Sequence, residues 1–396
     1  MPASRPCILQ LIPRLDTGGA EQATIDITGA LVKAGARALV ATEGGRLAPE
    51  IVASGGEIVT IAVATKNPAL IWWNARRIAA LARHEGVLLI HARSRAPAFS
   101  GLMAARRLGI PFVATYHGAY AGTSALKTWY NGVMTRGDAV IANSHWTARH
   151  IVERHGTPPD RIHVIQRGID LLRFDAAAVA PGRMAALRAV WGVAPQQPVI
   201  LCAARLTGWK GQRVLVEAAR LLARDGRLGE AAIVLAGDAQ GRDGYVSELR
   251  EAIVDAGLQR RVIIAGHCAD MPAAFLTATL SVIASTEPEA FGRVSAESLA
   301  MGTLVASTNI GAPQETLAVP GSSGRLGWLV PPNDAGALAG AIAEALALAP
   351  PERARLGQAA RAHVAETFSL ARMQAETLGL YDRLLGSNLA SFLPSP

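Results

Sequence analysis

The chain has 396 residues, 18% of them charged, three cysteines and a formal net charge of +8 at pH 7. That length divides into two domains more readily than it fills one core. Three scattered thiols exclude a disulfide framework and a cysteine zinc site and point to a reducing cytoplasm, and no apolar run nears the ~20 residues of a membrane span.

Cys7–Ile12 is too short for a signal-peptide core and reads as a first buried strand. Asp16-Thr17-Gly18-Gly19-Ala20-Glu21 follows it, and a helix-period pattern runs over Ala20–Ala34. Paired glycines at such a turn let the backbone approach a ligand, and the helix start favours anions. The third glycine of a dinucleotide fingerprint is missing, and a plain tight turn would use the same residues. Ala38–Thr42, Leu88–Ala92, Phe112–Tyr116 and Ala139–Ala142 are further runs of strand length. Between them, Ala69–His84 sets Trp72 four residues before Arg76 and Trp73 four before Arg77. That spacing suits a helix lying on an anionic membrane and equally an ordinary helix packed on a sheet. His117-Gly118 directly follows Phe112–Tyr116, and ligands bind open parallel sheets at the carboxyl ends of their strands. Residues 1–175 hold 20 Lys and Arg against 12 Asp and Glu, while the remainder holds 19 of each. The whole excess of positive charge is therefore in the first half, as a solvated basic surface or as an attractor of anionic partners.

Phe174–Gly192, with an alanine run, Pro181-Gly182 and a short basic helix, continues neither pattern around it and reads as the domain link. A second strand series follows at Val199–Ala203, Ala232–Ala236, Val262–Ala265, Ser281–Ala284 and Leu304–Ser307. Helical patterns such as Gly211–Arg224 and Tyr245–Ala256 alternate with it. Buried parallel strands joined by crossover helices satisfy both series. After the first of these strands, Arg205 and Lys210 lie five apart on a loop with Gly208 and Gly211. They can converge on a diphosphate, Arg as a fork of donors and Lys as a point charge, or stand as solvated cations. Ser285–Glu297 carries Glu289 and Glu297 eight apart. Pro288 and Gly292 keep its first part non-helical, and a helix is expected from about Arg293. The N–H groups of Gly292 to Val294 can meet a phosphate, and a carboxylate accepts hydrogen bonds from neighbouring hydroxyls. Alone, both glutamates would read as surface charges or helix-start stabilisers. No Asp-x-Asp-like metal site lies near a strand end in the first half. Glu366–Leu385 is helical, with no strand after it.

Taken together, these segments resemble the retaining glycosyltransferases of the GT-B architecture, family 4, over nearly the whole chain. The resemblance rests on Gly18-Gly19-Ala20-Glu21, His117-Gly118, Ala142-Asn143-Ser144, Arg167-Gly168-Ile169-Asp170, Arg205 with Lys210-Gly211, Ala236-Gly237-Asp238, Gly266 with Asp270-Met271-Pro272, and Glu289-x7-Glu297, in that order. It implies an α/β fold of two Rossmann-like parallel-sheet domains facing across a cleft. Residues 1–180 would bind acceptor and residues 190–365 the nucleotide-sugar, with a final helix of about 366–386 crossing back. It also implies roles. Gly18 and Gly19 would close over donor phosphates. His117 would accept a hydrogen bond from a sugar hydroxyl near the reacting carbon. Arg205 and Lys210 would hold the diphosphate, and Glu289 the donor-sugar hydroxyls, with backbone at Phe291, Gly292, Arg293 and Val294. Glu297 would bind the ribose diol, and Gly266 and His267 would lie by the base.

The implied reaction moves a hexosyl group from a nucleotide-sugar, a UDP-sugar on family frequency, to a cell-envelope glycan or glycolipid such as lipopolysaccharide core or exopolysaccharide. Configuration is retained, no metal or cofactor takes part, and no nucleic acid is bound. Fixed cations and helix starts then carry the leaving charge. Tyr120, Lys127, Trp129 and Tyr130 are candidates for acceptor contact, since aromatic rings stack on sugars. The implied setting is cytoplasmic, peripheral on the inner face of an anionic membrane. Other readings are a sugar-nucleotide epimerase or hydrolase on the same fold, or a non-catalytic basic membrane- or polyanion-binding protein. Two positions depart from the family pattern: Arg167 stands where Asn is common, and Arg293 where an apolar residue is common.

Overall fold

The structure is a computed structural model that describes every residue except 1–4, 17, 119, 121–123, 319–325 and 395–396. Thr17 of the glycine turn and part of the 118–130 segment therefore lie outside the described residues. The chain divides into two compact units, residues 1–168 with 370–396, and residues 169–369.

The first unit is built on β1 (Cys7–Leu11), β2 (Arg37–Thr42), β3 (Glu57–Thr60), β4 (Val87–Ala92), β5 (Phe112–Tyr116), β6 (Ala139–Ala142) and β7 (Ile162–Val164). They form one sheet in the order β3-β2-β1-β4-β5-β6-β7, every pair parallel. Its central strands are apolar on both faces because helices cover both. One face, with Leu9, Leu11, Ile90 and Phe112, packs against Ile78, Ala98 and Ala105. The other, with Ile8, Leu89, Val113 and Ile141, packs against Ile27, Leu31, Met373 and Tyr381. The last two come from the helix Leu370–Leu385, whose Gln374 Nε2 donates to the Asp26 carbonyl at 2.8 Å.

The second unit holds β8 (Val199–Ala203), β9 (Ala232–Ala236), β10 (Val262–Gly266), β11 (Leu280–Ile283), β12 (Val305–Thr308) and β13 (Gly327–Val330). Their order is β10-β9-β8-β11-β12-β13, again all parallel. The order reverses between β8 and β11 here and between β1 and β4 in the first sheet. These are the switch points where doubly wound sheets take ligands.

Two boundaries differ from the sequence reading. Residues 169–180, expected with the first domain, belong to the second unit. The Ile169 N–H donates to the Phe368 carbonyl at 2.7 Å, Asp175 pairs with Arg361 at 2.6 Å, and Phe174 packs on Phe275. The returning helix starts at Leu370, not near 366, because Phe368 is a core residue of the second unit against Phe291 and His363. The expected link is in part a helix, Pro181–Trp191, held to the second unit by buried Trp191 and by Arg183 forking onto Asp270 at 2.7 and 2.8 Å.

Candidate functional site

In the second unit, the loop after β8 is pinned to the end of β11. Gly211 has φ +68°, and a Cβ there would stand 1.8 Å from the Ala284 carbonyl oxygen. The Thr286 N–H donates to the Trp209 carbonyl at 2.8 Å. Lys210 Nζ lies 4.1 Å from the centroid of the Trp209 ring and is ion-paired with Glu289. The same carboxylate oxygen accepts from the Ser285 hydroxyl at 2.6 Å. Glu289 is fixed from its other side by a bridge to Gly311, a position with φ +92° where a Cβ would meet the Glu289 carbonyl at 2.2 Å. Lys210 and Glu289 side chains are 15% and 14% exposed. They line a cavity of about 110 Å³ with Cys202, Ala204, Gly292, Arg293 and Val294.

The helix Arg293–Ala300 opens from Gly292 at φ +83° with no side-chain cap, so its first N–H groups face that cavity's edge. Arg293 Nε donates to Glu297 Oε1 at 2.6 Å. Phe291 is buried against Phe368 at 5.5 Å and offers only its backbone. Two buried hydroxyls beside this machinery, Thr207 and Ser295, have no hydrogen-bond partner among the described residues. Arg205 is exposed and forms no ion pair among the described residues. Gly266 (φ +68°) accepts from the Gly237 N–H at 2.7 Å, and His267 after it is exposed.

The first unit carries a polar ladder on one face of its sheet. Alternate residues share a face. Ile8, Leu89 and Val113 are apolar, and two positions on come Gln10, His91 and Thr115, then Arg93. All four polar side chains are buried. Arg93 donates to Gln10 Oε1 from Nε at 2.9 Å and from Nη2 at 2.5 Å, and to Thr115 Oγ1 at 3.3 Å. His91 pairs through Nε2 with Thr115 Oγ1 at 2.7 Å and through Nδ1 with the Tyr381 hydroxyl at 2.6 Å. Just beyond the strand end, Arg167 brings the predicted residues together. Its guanidinium donates to the Gly19 carbonyl and, through Nη2, to His117 Nδ1 at 2.7 Å. Glycine at 19 makes room, since a Cβ there would come within 3.3 Å of Arg167 Nη1.

This geometry reverses one expectation. A guanidinium can only donate, so His117 Nδ1 accepts and the neutral ring carries its proton on Nε2. His117 Nε2 is buried with no partner among the described residues and, carrying the proton, can donate a hydrogen bond but not accept one. Desolvation, then the Arg167 and Arg93 charges, hold His117 well below the ordinary histidine range; desolvation and Arg93 do the same for His91. In the unfolded chain both rings take a proton near pH 6.5. Below that pH the unfolded state binds more protons than the folded one, so stability falls as pH falls. Thermal melts are expected to drop steadily from pH 7 to 5.5, by up to about 1.4 kcal/mol per pH unit for each of the two rings. A flat profile over that range would contradict the buried neutral assignment.

Of the four acceptor candidates, Lys127, Trp129 and Tyr130 line a cavity of about 600 Å³ in the first unit with Lys66, Ser94, Arg95, Ala96, Leu126 and Asn131. Tyr120 does not line it; its ring lies under Arg95, 4.1 Å away, and against Tyr116. The helix Pro68–His84 buries Asn74, Ala75, Ile78, Ala79 and Ala82 and leaves Trp72 and Trp73 exposed, with Arg76 stacked on Trp72 at 3.6 Å. Among the described residues, no helix is long and apolar enough to cross a membrane. The sequence reading missed Gln10, His91, Arg93, Thr115 and Ser285. Its available signal was polar residues at every second position of otherwise apolar strands.

Comparison with known proteins gives two adjoining matches, to Glycosyltransferase Family 4 over residues 17–173 and to Glycosyl transferases group 1 over residues 184–363. The D-inositol 3-phosphate glycosyltransferase of Saccharomonospora viridis is 30% identical over 310 residues, 74% of this chain and 69% of that protein. A solved glycosyltransferase from Rickettsia africae is 32% identical with a TM-score of 0.88, covering 97% of this chain and 100% of its own. Anabaena HepE in complex with UDP-glucose is 26% identical with a TM-score of 0.80, covering 96% and 100%.

Proposed function

The chain belongs to the group 1 glycosyltransferases, and on that premise we propose that it moves a hexosyl group from a UDP-sugar to a cell-envelope glycan or lipid-linked acceptor. Lipopolysaccharide core or an exopolysaccharide is the acceptor type we have in mind. The observation that carries the donor half is one cavity in the second unit that gathers Lys210, Glu289, Arg293 and the uncapped start of the helix Arg293–Ala300. HepE, solved with UDP-glucose, supports UDP as the nucleotide.

In this reading Lys210 and exposed Arg205 neutralise the pyrophosphate, and the helix N–H groups meet its oxygens. Glu289 is aligned by Ser285 and Lys210 and accepts from donor-sugar hydroxyls. Glu297, steered by Arg293, takes the ribose diol. Configuration is retained through a front-face displacement. The acceptor oxygen bonds to the anomeric carbon as the carbon–phosphate oxygen bond breaks, and the acceptor proton passes to the departing phosphate. The fixed cations carry the leaving charge, so the reaction runs without a catalytic metal. The exposed Trp72 and Trp73 with Arg76 support a peripheral position on an anionic inner membrane face.

A thermal-shift screen of UDP-, GDP- and ADP-sugars, with Mg²⁺ and with EDTA, tests this, because a ligand that binds the folded state raises its melting temperature. UDP-sugars are expected to give the shift in both buffers, with turnover surviving EDTA and the protein floating with anionic vesicles at low salt. Stabilisation by no nucleotide-sugar, or only with Mg²⁺, would refute the donor assignment.

A further inference from the structure

The cavity of about 600 Å³ in the first unit has a chemical bias that the transferase reading does not require. Lys66, Arg95 and Lys127 line it, and no Asp or Glu does among the described residues. None of these cations pairs with a carboxylate among the described residues. Arg95 instead donates to Asn131 Oδ1 at 2.9 Å and lies over the Tyr120 ring, which fixes its position without neutralising it. A fourth cation, Arg136, sits 4.9 Å from the Trp129 ring centroid and donates to the Trp129 carbonyl at 3.1 Å. Three other arginines of the first unit are neutralised by carboxylates: Arg37 by Glu57 and Glu85, Arg106 by Asp138, and Arg14 by Asp16. Gathered like charges without counter-ions repel one another, and an anionic ligand removes that cost. Ser94, also in the lining, leaves the first N–H groups of the helix Arg95–Leu108 without a side-chain cap. Trp129 and Tyr130 add aromatic faces on the same wall, both packed on Phe99.

We infer that this cavity binds a saccharide or polyol that carries a phosphate group. The phosphate sits among Lys66, Arg95 and Lys127, and the ring stacks on Trp129 or Tyr130. The aromatic face gives contact with any sugar; the cations make the phosphate the discriminating group. That this ligand is the acceptor rests on the proposed transfer reaction; the binding itself does not. The phosphate can come from a soluble sugar phosphate or from a lipid headgroup, and Leu126, 75% exposed on the cavity wall, is compatible with a chain leaving the pocket.

The test is calorimetry on the full chain with glucose 6-phosphate, glucose and inorganic phosphate, and in parallel flotation with phosphatidylcholine vesicles with and without phosphatidylinositol. The Lys66→Gln/Lys127→Gln double variant changes two exposed side chains, so its folding is expected to be intact. Glucose 6-phosphate is expected to bind at least about tenfold more tightly than glucose, with inorganic phosphate competing, and the double variant is expected to lose that advantage. Selective flotation with phosphatidylinositol, lost in the variant and accompanied by weak sugar-phosphate binding, assigns the phosphate to a lipid. Equal binding of glucose and glucose 6-phosphate without phosphatidylinositol-dependent flotation overturns the inference, as does phosphate binding that the double variant leaves unchanged. UDP-induced stabilisation, recorded on the same samples, reports the donor site separately; its loss in the wild type would sink the donor assignment and not this one.

Discussion

Replacing Lys210 by Met should lower kcat/KM by two to three orders of magnitude, about 3–4 kcal/mol of transition-state stabilisation. In the proposed reaction the ammonium faces charge that grows as the sugar leaves. The same change strands Glu289, which would remain mostly buried with only the Ser285 hydroxyl to meet it. A broken buried pair costs more than the pair itself contributed, so the single variant should also lose about 2 kcal/mol of stability. The two effects separate in the double variant Lys210→Met/Glu289→Gln, which removes both charges. Its melting temperature should recover most of the loss while its turnover stays low. Arg205→Ala is the complementary control: Arg205 is exposed and in no ion pair among the described residues, so turnover should fall by a similar factor with little change in melting temperature. Activity within about threefold of wild type in both Lys210→Met and Arg205→Ala would contradict the pyrophosphate role of these cations.

Gly211→Ala should be among the most damaging alanine substitutions at the described glycines. The residue is at φ +68°, where an L side chain is strained, and its Cβ would stand 1.8 Å from the Ala284 carbonyl oxygen. That oxygen is backbone next to β11, in a packed core that cannot swing away like a side chain. Either the loop 204–211 or the end of β11 must move, and Lys210 and Ser285 move with them. A loss of about 3 kcal/mol or more is expected, seen as a large fall in melting temperature or as insoluble protein. Gly182→Ala is a suitable comparator, because a Cβ there meets nothing within 4 Å. Equal stability of the two variants would mean that the loop is not pinned as described.

Ten of the strands were legible as short apolar runs because central parallel strands are buried on both faces and can carry little else. The missed strands were β3, β7 and β13, each at a sheet edge. Glu57–Thr60 has no buried position, Ile162–Val164 is only three residues long, and Gly327–Val330 starts at a glycine that a Cβ would drive into the Val305 carbonyl at 2.1 Å. One-sided burial weakens the apolar signal on which strand reading depends. In the second unit, Arg205 and Lys210 share the loop after β8, and Glu289 and Glu297 share the segment after β11 that runs into the helix Arg293–Ala300, so each pair was close in the sequence already. The Arg167–His117–Gly19 contacts could not be found from spacing, since they join residues 148 and 50 positions apart in the chain. What the sequence did show was that Arg167 was unusual; the fold supplied the reason.

The Tyr381–His91 hydrogen bond ties the chain's last helix into the core of the unit that is synthesised first. Residues 169–369 form a contiguous body, whereas 1–168 lack part of their core until 370–396 arrive. On the ribosome, then, the order of completion inverts the order of translation: the later-made unit can close first, and the earlier-made one waits with an apolar flank uncovered. A nascent chain stalled shortly before its end would be a natural client for a holding chaperone, with the flank around Ile8, Ile27 and Leu31 as the surface to be shielded.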